Sequence, residues 1–208
     1  MKGRRNSLVA REGIPILLSC VALTGLCGYL FAWYAAIPPA VVLLILLFLF
    51  QDPRRKVPSH PLAAVSPVDG TVISVKTIDS EVIEASAHQV TLRIDSFGTY
   101  TARCPVEGVL LDYHDLAESK RADTHVPGLW VRTDEGDDVV LQFHGHRFGL
   151  VPRSFARYGE RLGQGQRCAF LRLTRFAEVF LPINSRINVQ PGQHVLAGSD
   201  ILGTLPHP

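Results

Sequence analysis

The sequence predicts a mainly β domain, a small pseudo-symmetric β barrel or hammerhead-like sandwich, behind an N-terminal membrane-helix hairpin. Three observations predict it. Residues 14–51 contain no Asp, Glu, Lys or Arg over 38 positions. The rest of the chain is written in short alternating runs separated by Gly, Pro, Asp and Asn. One acidic turn is also written twice, as "SPVDGTV" from Ser66 and "CPVEGVL" from Cys104, with Pro105 standing 38 residues after Pro67.

An uncharged run of that length reads as a membrane segment. The basic start "MKGRRNSLVAR" also suits a signal peptide, but the apolar region is too long and no small-x-small cleavage site closes it. As one helix it would be about 57 Å long, nearly twice a ~30 Å hydrocarbon core. Pro38-Pro39, preceded by Trp33 and Tyr34, divides it into two arms of about 14–32 and 37–50. Residues 1–56 carry seven basic and two acidic side chains, a net of +5. The whole chain is +2, so the remainder is −3. Lys and Arg favour the cytoplasmic side, and a hairpin keeps both basic flanks there. The expected division is a basic segment 1–13, an anchor 14–51, a linker 52–64 and a β domain 65–208 at the cytoplasmic face of the inner membrane.

The strands are expected in "GTVISVK", "HQVTLRID", "GTYTARC", "GVLLDYH", "GLWVRTD", "DDVVLQFHG", "RCAFLRLT", "FAEVFLP" and "SRINVQ". Turn residues recur every eight to twelve positions, the spacing of an all-β domain. The run "HDLAESKRA" is expected to add one or two helical turns. In the duplicated turn, Pro fixes φ, the acid bonds the turn backbone, and Gly takes a conformation other residues resist. On that reading Asp69 and Glu107 are turn residues. "GQGQRCAFLRL" and "QPGQHVLAGSDIL" form a second rough pair. A mildly acidic domain argues against nucleic acid as a partner. Cys20, Cys27, Cys104 and Cys168 form no CxxC pair, which fits a reducing compartment.

Six pieces in order, "AREGIPILL", "FQDPRRKVP", "SPVDGTVISV", "FGTYTARCPVEGVL", "GERLGQGQRCAFLRLTRFAEVFLP" and "INVQPGQHVLAGSDILG", resemble the phosphatidylserine decarboxylase family, especially its short, archaeal-type branch. Biotinyl and lipoyl carriers share part of this style but need a lysine at a hairpin tip, which is missing here. The resemblance implies a β-rich fold and a pyruvoyl group made from the backbone, with no added cofactor. In the family a serine of a Gly-Ser pair attacks the preceding carbonyl and the chain splits. The new keto group then accepts electrons as phosphatidylserine loses carbon dioxide.

Carried over position by position, Asp69 matches the acid that helps assemble the base for self-cleavage. Tyr100 stands where the family has a histidine, and tyrosine is a poor base at neutral pH. Arg103 stands where some members have arginine and others a second histidine, and with Arg153 and Arg157 it is expected to bind substrate. Leu173-Thr174 occupies the place of Gly-Ser. Thr174 keeps a hydroxyl and would leave a 2-oxobutyryl group. Leu173 is costly where a backbone at φ > 0 is needed, by about 1–2 kcal/mol.

Outside that pattern, His144 and His146 stand two apart on a strand and are expected to face one way. As metal ligands they need a third partner, for which His88, His114, His125, Asp115 and Asp123 are candidates. The plainer expectation is a solvated pair and no metal site. One of them is also a candidate replacement for the base that Tyr100 does not supply. Arg153, Arg157, Arg161 and Arg167 suit phosphate head groups or form a solvated charge run. These residues lead to one reading: a membrane-anchored homologue of phospholipid metabolism without the usual pyruvoyl group, binding phospholipid or regulating a lipid-synthesis enzyme, alone or as a homo-oligomer. The alternative is an active decarboxylase processed at Thr174. A metal-dependent enzyme built on the histidine pair is a third.

Overall fold

The computed structural model describes residues 10, 13–30, 33–60, 62–80, 85–96, 98–112, 128–146 and 150–206. The run "HDLAESKRA", with His114, Asp115, Asp123 and His125, lies outside them. The chain divides into two compact units, Met1–Arg54 and Arg55–Pro208.

The first unit is a helix hairpin. Helix α1 spans Ile14–Leu30, a 3₁₀ turn covers Trp33–Ala36, and α2 spans Ile37–Leu49. Pro38 and Pro39 fall in the first turn of α2, where a missing N–H costs nothing. The two arms pack together, and the Cys20 thiol lies 3.5 Å from the Pro39 carbonyl. The expectation of membrane-spanning arms is corrected here. With 17 and 13 residues the helices are about 26 and 20 Å long, short of a ~30 Å core. Among the described residues, no helix is long and apolar enough to cross a membrane.

The second unit is β throughout. Its strands are β1 (Ala63–Val65), β2 (Gly70–Ser80), β3 (Ala85–Ile94), β4 (Thr101–Arg103), β5 (Gly108–Asp112), β6 (Gly128–Arg132), β7 (Asp138–His144), β8 (Arg153–Ser154), β9 (Arg161–Leu162), β10 (Arg167–Phe170), β11 (Phe176–Pro182), β12 (Arg186–Ile187), β13 (His194–Val195) and β14 (Ile201–Thr204). Eight form one antiparallel sheet in the order β13-β2-β3-β11-β7-β6-β5-β9. Two three-stranded sheets, β1-β14-β12 and β4-β10-β8, complete the unit. The expectation of a closed barrel is therefore corrected: the sheets are open. Short strands ended by Pro and Gly turns, together with the β-bulges in β2 and β5, leave the large sheet with two separate edges.

The duplicated acidic turn is a structural repeat. The Val65 N–H donates to the Pro105 carbonyl at 2.8 Å, and the Arg103 N–H donates to the Pro67 carbonyl at 2.9 Å, so each copy holds the other. The Ser66 hydroxyl donates to the Val68 carbonyl, and the Cys104 thiol likewise to the Val106 carbonyl. A Cβ on Gly70 would stand 2.2 Å from the Arg93 carbonyl oxygen. One on Gly108 would stand 2.2 Å from that of Arg132. The second rough pair also repeats locally: the Gln166 side chain accepts from the Gly163 N–H, and that of Gln193 from the Gln190 N–H.

The copies differ in where their acid goes. Asp69 is buried, whereas Glu107 is exposed beside Arg161.

Candidate functional site

The turn Leu171–Thr174 separates β10 from β11. Three backbone hydrogen bonds fix its surroundings: Leu171 N–H to the Tyr100 carbonyl, Ile94 N–H to the Arg175 carbonyl, and Arg175 N–H to the His144 carbonyl. The Asp95 N–H in turn bonds the Asp69 carbonyl. Residues far apart in the chain, Asp69, Tyr100, His144, His146 and Thr174, are thus brought around one end of β3 and β11.

The turn itself is strained. The Thr174 N–H closes on the Leu171 carbonyl at 3.1 Å. The two residues between, Arg172 and Leu173, have φ of 47° and 68°. This is the sign pattern of a type I′ turn, which ordinarily takes Gly, Asn or Asp. Each residue here costs roughly 1–2 kcal/mol. Leu173 therefore adopts the left-handed geometry that its side chain resists.

Thr174 is buried, and its hydroxyl bonds the Leu171 carbonyl. His146 Nδ1 lies 3.2 Å from the same oxygen. One hydroxyl proton cannot serve both acceptors. While it points at Leu171, the His146 contact requires a proton on Nδ1. Burial first, and then the charge of His144, lower the pKa of His146, which favours its neutral form at pH 7.

His144 and His146 do not share a strand face as expected. Strand β7 ends at His144, and Gly145 at φ 71° turns the chain. His144 Nε2 goes to Glu178 at 3.0 Å while His146 goes to Thr174. Burial pushes the Glu178 carboxyl up, but bonds from His144, Gln89 and Thr91 outweigh it and hold the pKa below the usual range. Among the described residues no three His, Cys, Asp or Glu are grouped to hold a metal. Both domain thiols are buried, which pushes Cys104 up to about 12 and Cys168 well above its usual value. Neither serves as a thiolate nucleophile.

Asp69 is fully engaged. One carboxylate oxygen accepts from the Ala197 N–H at 2.7 Å. The other accepts from Arg55 at 2.7 Å and from the Thr99 hydroxyl and N–H at 2.8 and 3.2 Å. Arg55, Thr99 and Ala197 were not singled out by sequence, although Arg55 belongs to the quoted "QDPRRKVP". The Tyr100 hydroxyl donates to the Ser96 carbonyl at 3.1 Å. Arg103 is buried, with a guanidinium nitrogen on the Gly165 carbonyl at 3.1 Å. Arg167 is also buried and lies over the Phe155 ring. Arg153 and Arg157 stand at the surface, outside this cluster.

No family model matches the chain. Curated relatives do, along nearly its whole length. The phosphatidylserine decarboxylase proenzyme of Nitrosomonas europaea is 28% identical over 208 residues, covering 95% of each chain. That of Burkholderia ambifaria is 29% identical over 215 residues, covering 96% of this chain and 97% of the relative. Along nearly its whole length the chain is thus similar to phosphatidylserine decarboxylase proenzymes. Among solved structures, the glucose permease IIA of Mycoplasma capricolum aligns over 68% of this chain and 94% of its own, at 16% identity and a TM-score of 0.47. At the Leu173-Thr174 bond the threonine proton is directed at Leu171, and nearby the Asp69 carboxylate is held by four donors.

Proposed function

We propose that this chain is a phosphatidylserine decarboxylase homologue that stays uncleaved and works as a membrane-associated phospholipid-binding or partner-regulating protein. The observation that carries the reading is the engagement of both Asp69 oxygens by protein donors. A carboxylate that orients a base needs a free oxygen towards it. Here both oxygens are committed to Arg55, Thr99 and Ala197, and Tyr100 is no base. The helix hairpin supports membrane association. Its uncharged surface leaves Leu18 64%, Phe48 64% and Trp33 79% exposed, which water would penalise and lipid would not. The basic flanks favour the cytoplasmic side.

A second reading is favoured by His146. With the hydroxyl turned from Leu171 to Nδ1 and the ring proton on Nε2, neutral His146 would take the Thr174 proton as the hydroxyl attacks the Leu173 carbonyl. The Leu173–Thr174 C–N bond breaks to give an ester, elimination frees the Leu173 carboxylate, and water replaces the Thr174 nitrogen as ammonia to leave a 2-oxobutyryl end.

The intact mass of the purified chain separates the two. The expected result is one full-length species, unlabelled by hydrazine and releasing no carbon dioxide from phosphatidylserine. Two fragments split between Leu173 and Thr174 would establish the second reading. Leu173→Gly with Thr174→Ser is expected to recover partial cleavage.

A further inference from the structure

The segment after residue 150 exposes apolar and aromatic side chains on a stiff backbone. Leu150 is 39% exposed, Val151 49% and Tyr158 80%. Pro152 and Ala156 point inward, so Val151, Arg153, Arg157 and Tyr158 form the outward side of this stretch. The backbone is held at each step. The Phe155 N–H bonds the Cys168 carbonyl, and the Ser154 hydroxyl accepts from the Ala156 N–H. The Arg157 N–H bonds the Glu160 carboxylate, and Gly159, at φ 73°, bonds the Leu110 carbonyl. A tyrosine is thus presented to solvent at the tip of a closed turn, 80% exposed.

The charges beside it are arranged unequally. Arg161 is occupied by Glu107 and Asp134. Among the described residues, the guanidinium groups of Arg153 and Arg157 have no carboxylate partner. Exposed aromatic and aliphatic side chains beside unpaired arginines match the chemistry of a bilayer surface, where amphipathic rings sit at head-group level and cations meet anionic lipid.

We propose that Leu150–Tyr158 is a docking face for an anionic phospholipid surface, with Tyr158 and Val151 entering the head-group layer and Arg153 and Arg157 contacting phosphates. This deepens the membrane part of the function proposed above and does not depend on whether the chain is cleaved. The paired charge of Arg161 keeps it out of the contact.

The test is hydrogen exchange of the full chain, one copy per nanodisc, in phosphatidylcholine alone and with phosphatidylglycerol added. Peptides over 150–158 are expected to exchange more slowly in the anionic discs, and peptides over 139–143 equally in both. Each of Arg153→Gln and Arg157→Gln is expected to lower the docked-to-undocked ratio about fivefold, about 1 kcal/mol. Raised salt should weaken the protection. A chain held in both discs with no lipid-dependent protection overturns the docking face but leaves membrane association standing. A chain held in neither overturns both. Protection in detergent that grows with protein concentration assigns the face to a second copy instead. The intact mass of the same samples reads cleavage separately.

Discussion

Replacing Asp69 by asparagine removes one charge while keeping the shape. The side chain's single remaining oxygen does best towards Arg55 and the two Thr99 donors. Its amide N–H₂ then faces the Ala197 N–H, donor against donor, inside the core. A buried donor left unsatisfied costs about 1–3 kcal/mol. The three retained bonds lose their charge assistance, about 0.5–1 kcal/mol each. Arg55 keeps some water, its side chain being 18% exposed, so its share is at the lower end. The expected loss is about 3–5 kcal/mol, a large part of a total near 5–15 kcal/mol. Guanidinium unfolding of the detergent-solubilised chain, followed by Trp130 fluorescence, should show a lower midpoint at unchanged slope. Glu107→Gln is the internal control, since its exposed partner should leave the midpoint unmoved. A loss below about 1 kcal/mol for Asp69→Asn would refute the view that this carboxylate is a structural lock.

Two further outcomes are expected. His146 has its pKa lowered in the fold, so the unfolded chain binds the extra proton more readily, and stability falls as pH drops below about 6.5. His146→Gln should flatten the pH 5–7 part of a midpoint-against-pH curve, while loss from Glu178 appears only at lower pH, within the carboxylate range. Gly70→Ala and Gly108→Ala each drive a Cβ into a backbone carbonyl of the neighbouring strand. Both should lower stability by more than about 2 kcal/mol, and by similar amounts if the repeat is structural. A tolerated substitution at either would break the equivalence.

What the sequence revealed depended on whether a feature had a local signature. Strand β11 coincides with "FAEVFLP", and β2, β3, β6 and β7 lie within a few residues of their alternating runs. The hairpin of helices follows from the missing charges and the paired prolines. Strands β1, β8 and β9 escaped notice because two or three residues carry too little periodicity, while "QPGQHVLAGSDIL", read as a turn leading into one strand, divides into β13 and the start of β14. The decisive miss is the break in "RCAFLRLT". It reads as one apolar strand, yet the chain turns at Arg172-Leu173. Neither residue is a turn former, so only the family resemblance, which put Leu173 in a glycine's place, pointed to the bend; tertiary contacts through Tyr100, Ile94 and His144 impose it. The His146–Thr174 contact was illegible for the same reason, whereas Asp69 was found because its turn is written in Pro and Gly.

The pairing of β1 with β14 has a consequence for how this protein is made. Ala63 meets Thr204, about 140 residues later, and the Leu205 N–H closes on the Leu62 carbonyl. A ribosome therefore releases β1 long before its partner exists. During that interval the Ala63–Val65 edge and the Asp69 pocket, which also awaits Ala197, stay open in the nascent chain. Contacts of such sequence separation form late and slowly, and unpaired edges invite wrong partners. With the uncharged hairpin synthesised first, a lipid surface that takes it up early would hold each unfinished chain apart from its neighbours until the last strand arrives.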